Sequence, residues 1–370
     1  MSNSAKEEIM IPPDTKRGRY HDQDRLSDLP DCVLLHILSF LNTKHVVQTC
    51  ILSPRWKDLW KAILTSTTLT LHSSHFSTKK GFAKFAAKII TLRDTKTALH
   101  SLDLDCLGNI EPRLLKKILN YVDSHNTQIQ QLAINVIADS DPILSCVSSC
   151  RALTSLKLDF RHKNYHGFGE TLFPKSLDLP ALTNLDLANF TFCASDNADC
   201  AEPFKAFNSL NSLTISNCRG RDARILRISN ATLANLTLRH TCCADFTIIE
   251  LSTPSLYTFS FYSTFDMKLC GSLSSVKQVD IDAQTPFLIA NVLSWLQDFA
   301  NVKSLTVTLI TLQILSVFPH LLKVKHSLCN LKSLKVKVKG GVATSETIPD
   351  RIVDFLLQNS PTAEVDLIDH

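Results

Sequence analysis

The residues of this chain that could carry chemistry are histidines and cysteines, and their spacing argues against a reactive centre. His162 and His166 lie four residues apart, which on a helix would place both imidazoles on one face, and Glu170 is the nearest carboxylate. The surrounding glycines favour a polar surface loop instead, and no fourth ligand is evident. The twelve cysteines form no CxxC pair, and most lie in or beside apolar segments, where a thiol packs as a small hydrophobe. We therefore predict no catalytic residue, no metal and no cofactor.

Motifs and composition exclude several further classes. The sequence lacks GxxxxGKS/T, GxGxxG, HExxH and GxSxG. A net charge of +4 is too small to indicate nucleic-acid or membrane binding. Residues 1–20 contain no apolar run, so the sequence predicts no secretory signal, and no stretch reaches the roughly eighteen apolar residues of a membrane span. The expected location is the cytoplasm, the nucleus or both, with reduced thiols.

Lysines concentrate late in the chain, at positions 323, 325, 332, 335, 337 and 339. No acidic residue lies between Ser327 and Gly341, so the stretch predicts a local positive patch. A nucleic-acid surface would need interleaved aromatic side chains, and this stretch has none. The pattern favours a solvated strand face or a site for an acidic partner.

Three short amphipathic helices are predicted between residues 24 and 60. Pro30 suits the first turn of the first helix, Thr43 is the expected cap of the second, and Ser53 with Pro54 gives the start signal of the third. The apolar positions are Val33, Leu34, Ile37, Leu38 and Leu41, then Val46, Val47, Cys50 and Ile51, then Trp56, Leu59 and Trp60.

This segment holds more large apolar side chains than about forty residues can bury among themselves. Two explanations are open. The helices pack as a bundle against the rest of the chain, or the surplus binds a partner protein.

From about residue 65 the chain carries a repeat, in which an apolar residue and two spacers precede apolar-x-apolar. Ten copies at spacings of 20 to 30 residues are the signature of leucine-rich repeats. The copies occupy residues 99–104, 129–134, 153–158, 182–187, 210–215, 233–238, 256–261, 276–281, 302–307 and 331–336. One unit cannot bury its apolar side alone, so the units are expected to stack into a solenoid with a curved parallel sheet.

The segments between the copies are predicted to differ. Residues 65–71 form a strand, and 79–93 form a helix with Phe82, Phe85, Ala86, Ile89 and Leu92 on one face. Further helices are predicted at 111–126, 291–300 and 349–358, with a last strand at 364–368. Irregular loops are predicted at 159–176 and 188–202.

The first helical stretch resembles the F-box. Leu29 and Pro30 open it, the run LLHILSFL follows, and SPRWKDLW ends it. The ragged repeats resemble those of plant F-box/leucine-rich-repeat proteins, including FBD-type relatives, here with a shortened C-terminus.

This resemblance implies an α/β chain with a three-helix F-box and a leucine-rich-repeat solenoid whose return segments are helical or irregular. The predicted bounds are a disordered arm at 1–23, the F-box at 24–64, the solenoid at 65–345 and a C-terminal cap at 346–370.

The resemblance also implies a function. F-box proteins dock a Skp-type adaptor and, through it, a cullin-based ubiquitin ligase, while the repeats hold a target protein. The chain would then be a non-catalytic substrate receptor. The alternative is a non-ligase scaffold or inhibitor with a helical N-terminal cap; a small-molecule receptor within the F-box class is a weaker variant.

Two sets of site residues follow. The predicted adaptor contact comprises Leu29, Pro30, Val33, Leu34, Ile37, Leu38, Leu41, Trp56, Leu59 and Trp60. For the target, residues between and just after the last two apolar positions of each repeat point out of the sheet. Among them only Arg239 and Tyr262 are of the types that dominate binding energies, so we predict that they anchor the target, flanked by Asp280 and Asp282.

Overall fold

The computed structural model describes residues 26, 28–59, 61–93, 96–161, 171–195, 199–240, 245–264, 267–318, 327–338 and 348–369. The chain divides into two compact units, residues 1–62 and 63–370, called here the N-terminal unit and the C-terminal unit. In the part of the chain that the structure describes, no helix is long and apolar enough to cross a membrane.

The N-terminal unit is helical, as predicted. Its elements are α1 (Asp31–Ser39), α2 (Thr43–Gln48), a 3₁₀ turn (Thr49–Ile51) and α3 (Trp56–Leu59), and α4 (Ala62–Thr65) follows at the boundary. Pro30 immediately precedes α1, one position earlier than predicted. The predicted arm at 1–23 lies outside the described residues.

The C-terminal unit consists mainly of strands. They are β1 (Thr68–His72), β2 (Ser101–Asn109), β3 (Gln131–Ile137), β4 (Ser155–Phe160), β5 (Thr171–Leu172), β6 (Asn184–Ala188), β7 (Phe190–Cys193), β8 (Cys200–Ala201), β9 (Ser212–Ser216), β10 (Arg219–Arg221), β11 (Ile225–Ser229), β12 (Asn235–His240), β13 (Ile248–Ser252), β14 (Thr258–Ser263), β15 (Lys268–Gly271), β16 (Gln278–Ala283), β17 (Ser304–Thr308), β18 (Ser333–Val338) and β19 (Glu364–Asp369).

A twelve-stranded sheet carries the repeats, and the strand at each of the ten predicted copies belongs to it. Its order follows the chain, β1-β2-β3-β4-β6-β9-β12-β14-β16-β17-β18-β19, with parallel pairing between neighbours. The register aligns equivalent apolar positions, so that Leu102 lies beside Leu132 and Leu156 beside Leu185. These four side chains are at most 2% exposed, because alternate residues of each strand point into the core. The repeat periodicity is therefore confirmed.

Helices return the chain at both ends of this sheet. They are α5 (Lys79–Leu92), α6 (Pro112–Asp123), α7 (Asp141–Ser149), α8 (Ile289–Asp298), α9 (Leu309–Ser316) and α10 (Asp350–Leu357), with 3₁₀ turns at Ser73–His75 and Pro286–Leu288. The four predicted helices are confirmed: α5, α6 and α10 are shorter than predicted, and α8 begins and ends two residues earlier. On α5 the predicted face is wrong at its end, because Leu92 is 44% exposed and Ile90 is buried instead.

In the middle of the array the return segments are strands instead of helices. They form two further parallel sheets, ordered β10-β7-β5 and β15-β13-β11-β8. The predicted irregular loops are therefore wrong at β7 and β8, within 188–202, and at β5, within 159–176. Phe190 and Phe192 of β7 are 1% exposed and make edge-on ring contacts with Phe173. Such aromatic packing stabilises short strands that have little periodicity of their own.

The predicted C-terminal cap, 346–370, contains one further helix and strand of the array. β19 pairs in parallel with β18. Val365 and Leu367 of β19 are 43% and 62% exposed, whereas a cap would present a polar surface.

Candidate functional site

The start of α1 is fixed by backbone and side-chain bonds. The Pro30 carbonyl oxygen accepts hydrogen bonds from the N–H groups of Val33 and Leu34 at 3.0 and 3.1 Å. Asp31 lies in the first turn, where a carboxylate favours the positive end of the helix dipole. Arg55 Nε donates to Asp31 Oδ1 at 2.9 Å, which joins α1 to the turn before α3.

The cap of α2 is Asn42, and the predicted cap Thr43 is wrong. Asn42 has an extended backbone, and its Oδ1 accepts a hydrogen bond from the His45 N–H at 2.9 Å. Thr43 is instead the first helical residue and is buried. Both residue types cap helices well, so the choice depends on which side chain the packing leaves free.

Four of the ten predicted adaptor-contact residues are buried. Leu34, Leu38, Trp56 and Leu59 are at most 9% exposed. As placed, these side chains offer almost no surface to a partner, so we assign them to the packing that holds the helices.

The other predicted contact residues reach solvent to different degrees. Val33 and Leu41 are 39% and 38% exposed, and Pro30 is also exposed. Leu29 and Ile37 are partly exposed. Trp60 lies outside the described residues.

The sequence did not predict that several apolar side chains of the N-terminal unit are exposed to solvent. Phe40, Ile51 and Leu52 are 76%, 83% and 58% exposed. Ile51 was predicted on the apolar face of the second helix, but α2 ends at Gln48 and continues as a 3₁₀ turn. That turn has three residues per turn, so Ile51 leaves the apolar face. With their neighbours these residues make up the exposed apolar set, which is Leu26, Val33, Leu35, Phe40, Leu41, Ile51 and Leu52.

The exposed apolar set can act only by contact. It contains no charged side chain, and burying one such side chain contributes roughly 1.5–3 kcal/mol. The seven side chains fall within residues 26–52 of the chain, and exposed apolar patches on folded proteins often mark interaction sites.

On the C-terminal unit, Arg239, Tyr262 and Asp282 occupy matching positions on successive strands. Arg239 is exposed, and its guanidinium carbon lies 5.2 Å from the centre of the Tyr262 ring, within cation–π distance. The structure therefore brings together two of the predicted target contacts.

Asp280 is occupied by neighbours within the sheet. The Tyr262 hydroxyl and Lys337 Nζ each donate a hydrogen bond of 2.6 Å to Asp280 Oδ2. The side chains of Lys337 and Asp280 are only 15% and 20% exposed. Burial, and next the hydrogen bond to the carboxylate, raise the pKa of Tyr262 to about 12. Asp280 Oδ2 thus holds the sheet surface together, and Asp280 Oδ1 is buried without a hydrogen-bond partner among the described residues, so neither oxygen is accessible to a target.

Asp282 is likewise engaged. Thr308 Oγ1 donates to Asp282 Oδ1 and Gln284 Nε2 donates to Asp282 Oδ2, both at 2.9 Å. Both bonds hold the carboxylate close to the sheet.

The predicted positive patch is weaker than its lysine count indicates. Lys337 is paired with Asp280, and Lys335 lies in register with Asp366 of β19. The run lacks acidic residues in sequence, but the pairing of β18 with β19 supplies them in space. Lys323, Lys325 and Lys339 lie outside the described residues.

The described residues show no chemical centre. No three metal-ligating side chains cluster among them, and each described cysteine is free. Burial raises the pKa of Cys218 to about 12, so that thiol stays protonated. His162, His166 and Glu170 fall in a segment that the structure does not describe.

Comparison with known proteins supports the resemblance to F-box proteins with leucine-rich repeats. The family model of the F-box domain matches residues 26–63. A putative F-box/FBD/LRR-repeat protein of Arabidopsis thaliana is 27% identical over 245 residues, which cover 63% of this chain and 52% of the relative. F-box/LRR-repeat protein 13 of the same plant is 29% identical over 237 residues, covering 61% and 48%. A further Arabidopsis F-box protein is 24% identical over 328 residues, covering 84% and 77%.

The F-box match and these relatives make the chain similar to F-box proteins that carry leucine-rich repeats, and the parallel repeat sheet of the C-terminal unit fits that class. The predicted resemblance to plant F-box/leucine-rich-repeat proteins, FBD-type relatives included, is confirmed. The chain spans about half the length of the first two relatives described.

Proposed function

We propose that this chain is the substrate-recognition subunit of a Skp–cullin–F-box ubiquitin ligase. The observation that supports this most directly is the exposed apolar set, which lies within the residues that match the F-box model. F-box domains generally bind a Skp-type adaptor, and an exposed apolar surface is what such docking would bury.

In this proposal the chain performs no chemical step. It contributes proximity, because holding a target beside the ligase converts an encounter between two molecules into one within a single complex. The C-terminal unit would hold the target, with Arg239 and the ring of Tyr262 as anchors. Asp280 would position Tyr262, whose hydroxyl donates to it, and Asp282 would flank the anchors on the next strand. The complex would work in the cytoplasm, the nucleus or both.

Affinity purification of the tagged full chain tests the proposal. Adaptor and cullin should co-purify with it. Leu29→Ala with Pro30→Ala should weaken adaptor binding by orders of magnitude, because interface anchors can exceed ~2 kcal/mol each. The melting temperature of the C-terminal unit should not change.

A scaffold or inhibitor with a helical N-terminal cap is the competing function. It predicts that no adaptor co-purifies and that the exposed apolar set is dispensable. Unchanged adaptor binding by the Leu29/Pro30 double variant would refute the assigned contact.

The target anchors need a separate experiment. Once a co-purifying target is identified, Arg239→Ala and Tyr262→Ala should each reduce its capture and leave adaptor binding intact. Lys84→Ala, an exposed change on α5, serves as the control. Full capture by the double variant would move the site to the segments at 160–176 and 188–202.

A further inference from the structure

The second position of each repeat motif forms a continuous row along one edge of the main sheet. Each backbone N–H in this row donates to the carbonyl oxygen of its equivalent in the preceding repeat, at 2.8–2.9 Å. The row comprises His100, Gln130, Thr154, Thr183, Asn211, Ala234, Tyr257, Lys277, Lys303 and Lys332. None of the first seven is Lys, Arg, Asp or Glu, and each of the last three is Lys, so the charge of the row changes at Lys277.

Lys277, Lys303 and Lys332 form what we call the lysine ladder. Backbone bonds fix them on neighbouring strands, which lie about 4.8 Å apart. Lys303 and Lys332 are exposed and Lys277 is partly exposed. Within the described ranges none of the three forms an ion pair, in contrast to Lys337. Like charges on adjacent strands destabilise a sheet, so a bound anion would relieve that repulsion.

The surroundings of the lysine ladder also suit a peptide. Tyr257, the preceding member of the row, is 48% exposed and offers a ring surface. The next residues along the strands are Gln278, Ser304 and Ser333, all able to form hydrogen bonds. Ser333 Oγ is buried and has no hydrogen-bond partner among the described residues.

We propose that the lysine ladder and Tyr257 bind an extended peptide segment with closely spaced negative charges, and that this segment belongs to the target protein. The inference rests on the proposed function and names its substrate class. In an extended peptide, side chains on one side repeat at about 6.6 Å, close enough to the ladder for flexible lysine stems to adjust. Carboxylates and phosphates share the required charge. Nucleic acid fits less well, because no aromatic ring lies between the three lysines of the row to stack against bases.

Fluorescence anisotropy with the full chain tests this. The probes are labelled extended peptides with glutamate, phosphoserine or glutamine at every second position. Both acidic peptides should bind, more weakly as salt rises, and the glutamine peptide should not. The tighter of the acidic peptides identifies carboxylate or phosphate as the source of charge. The triple change Lys277→Gln, Lys303→Gln and Lys332→Gln should weaken binding roughly tenfold, because it removes three exposed ion pairs that each contribute only a little binding energy.

A matched variant separates the ladder from net charge. Lys84→Gln, Lys88→Gln and Lys116→Gln remove three exposed lysines from helices α5 and α6 and should leave peptide affinity unchanged. Equal loss in both variants, or no loss in the ladder variant, would overturn the proposal. So would a single-stranded oligonucleotide of equal charge that binds as tightly as the peptides. Adaptor binding is measured in the same samples. A chain that does not bind the adaptor would contradict the proposed ligase function, whereas failure to bind the acidic peptides would contradict the lysine-ladder proposal alone.

Discussion

The two units of this chain differ in how fully they bury their large apolar side chains. Among the described residues, seven large apolar side chains are exposed in the N-terminal unit, against nine in the much longer C-terminal unit. Phe40 in the first is 76% exposed, whereas Phe261 in the second is 1% exposed. The repeat array buries its apolar positions because each strand covers the next. The short helices have no such neighbour, so their surplus remains available to a partner.

The largest expected effect is a loss of stability in the C-terminal unit. Phe261 packs edge-on against Trp295 with ring centres 4.8 Å apart. Phe261→Ala should reduce the free energy of unfolding by about 3–5 kcal/mol, because it leaves a cavity in a closely packed core. Urea unfolding followed by circular dichroism measures this. Phe287→Ala, at a side chain that is 78% exposed, should cost under about 0.5 kcal/mol. Similar losses in the free energy of unfolding for the two variants would mean that the buried and the exposed side chain contribute equally to stability.

A smaller loss of stability is expected when the ion pair between Lys337 and Asp280 is removed from the main sheet. Lys337→Met keeps the apolar stem and removes the charged partner of Asp280. The free energy of unfolding should fall by about 1.5–3 kcal/mol, the usual contribution of a hydrogen bond to a charged group. Lys335→Met on the same strand is the control and should have little effect. If both variants unfold alike, the pair between Lys337 and Asp280 contributes nothing to stability.

The same cluster predicts a pH dependence. The pKa of Tyr262 is raised from 10.0 to about 12, so the folded chain holds this proton more tightly than the unfolded chain. The contribution is fully present below pH 10 and is lost as pH rises towards 12. Unfolding experiments across this range should show a steeper decline for the unmodified chain than for Tyr262→Phe. Parallel curves would mean that the Tyr262 hydroxyl is not shielded.

The smallest effect is expected from separating the units. A chain consisting of residues 63–370 should be soluble and melt cooperatively, within the 2–4 °C that correspond to about 1 kcal/mol. This follows from the ten repeats and from the division of the chain at Ala62. Aggregation of this shorter chain, with the full chain soluble, would show that the units share a core.

The main sheet was predictable from the sequence because its signal repeats. Ten copies of one apolar spacing identify the strands, their register and their inward faces. The return segments carry weaker signals. α9 is apolar on nearly all sides, so it shows no helical period. β7 is buried on both faces and shows no alternation, and β11 alternates but is not among the ten copies of the six-residue repeat motif.

The candidate site was predictable only in part. The order of its residues identified the F-box segment, but the apolar residues that are exposed in the structure are only in part the ones that the sequence predicted. Leu34 and Trp56 turned inward, and Ile51 turned outward where α2 becomes a 3₁₀ turn. The pairing of Asp280 with Lys337 joins residues far apart in the chain, and no local pattern indicates it.

The central claim is that the exposed apolar set docks an adaptor while equally exposed apolar residues on the C-terminal unit do not. Titration calorimetry of a purified Skp-type adaptor against the full chain tests it directly. Phe40→Ala with Ile51→Ala should weaken binding by at least about 2 kcal/mol, whereas Phe287→Ala should leave it unchanged. Equal affinity for all three chains would contradict the account.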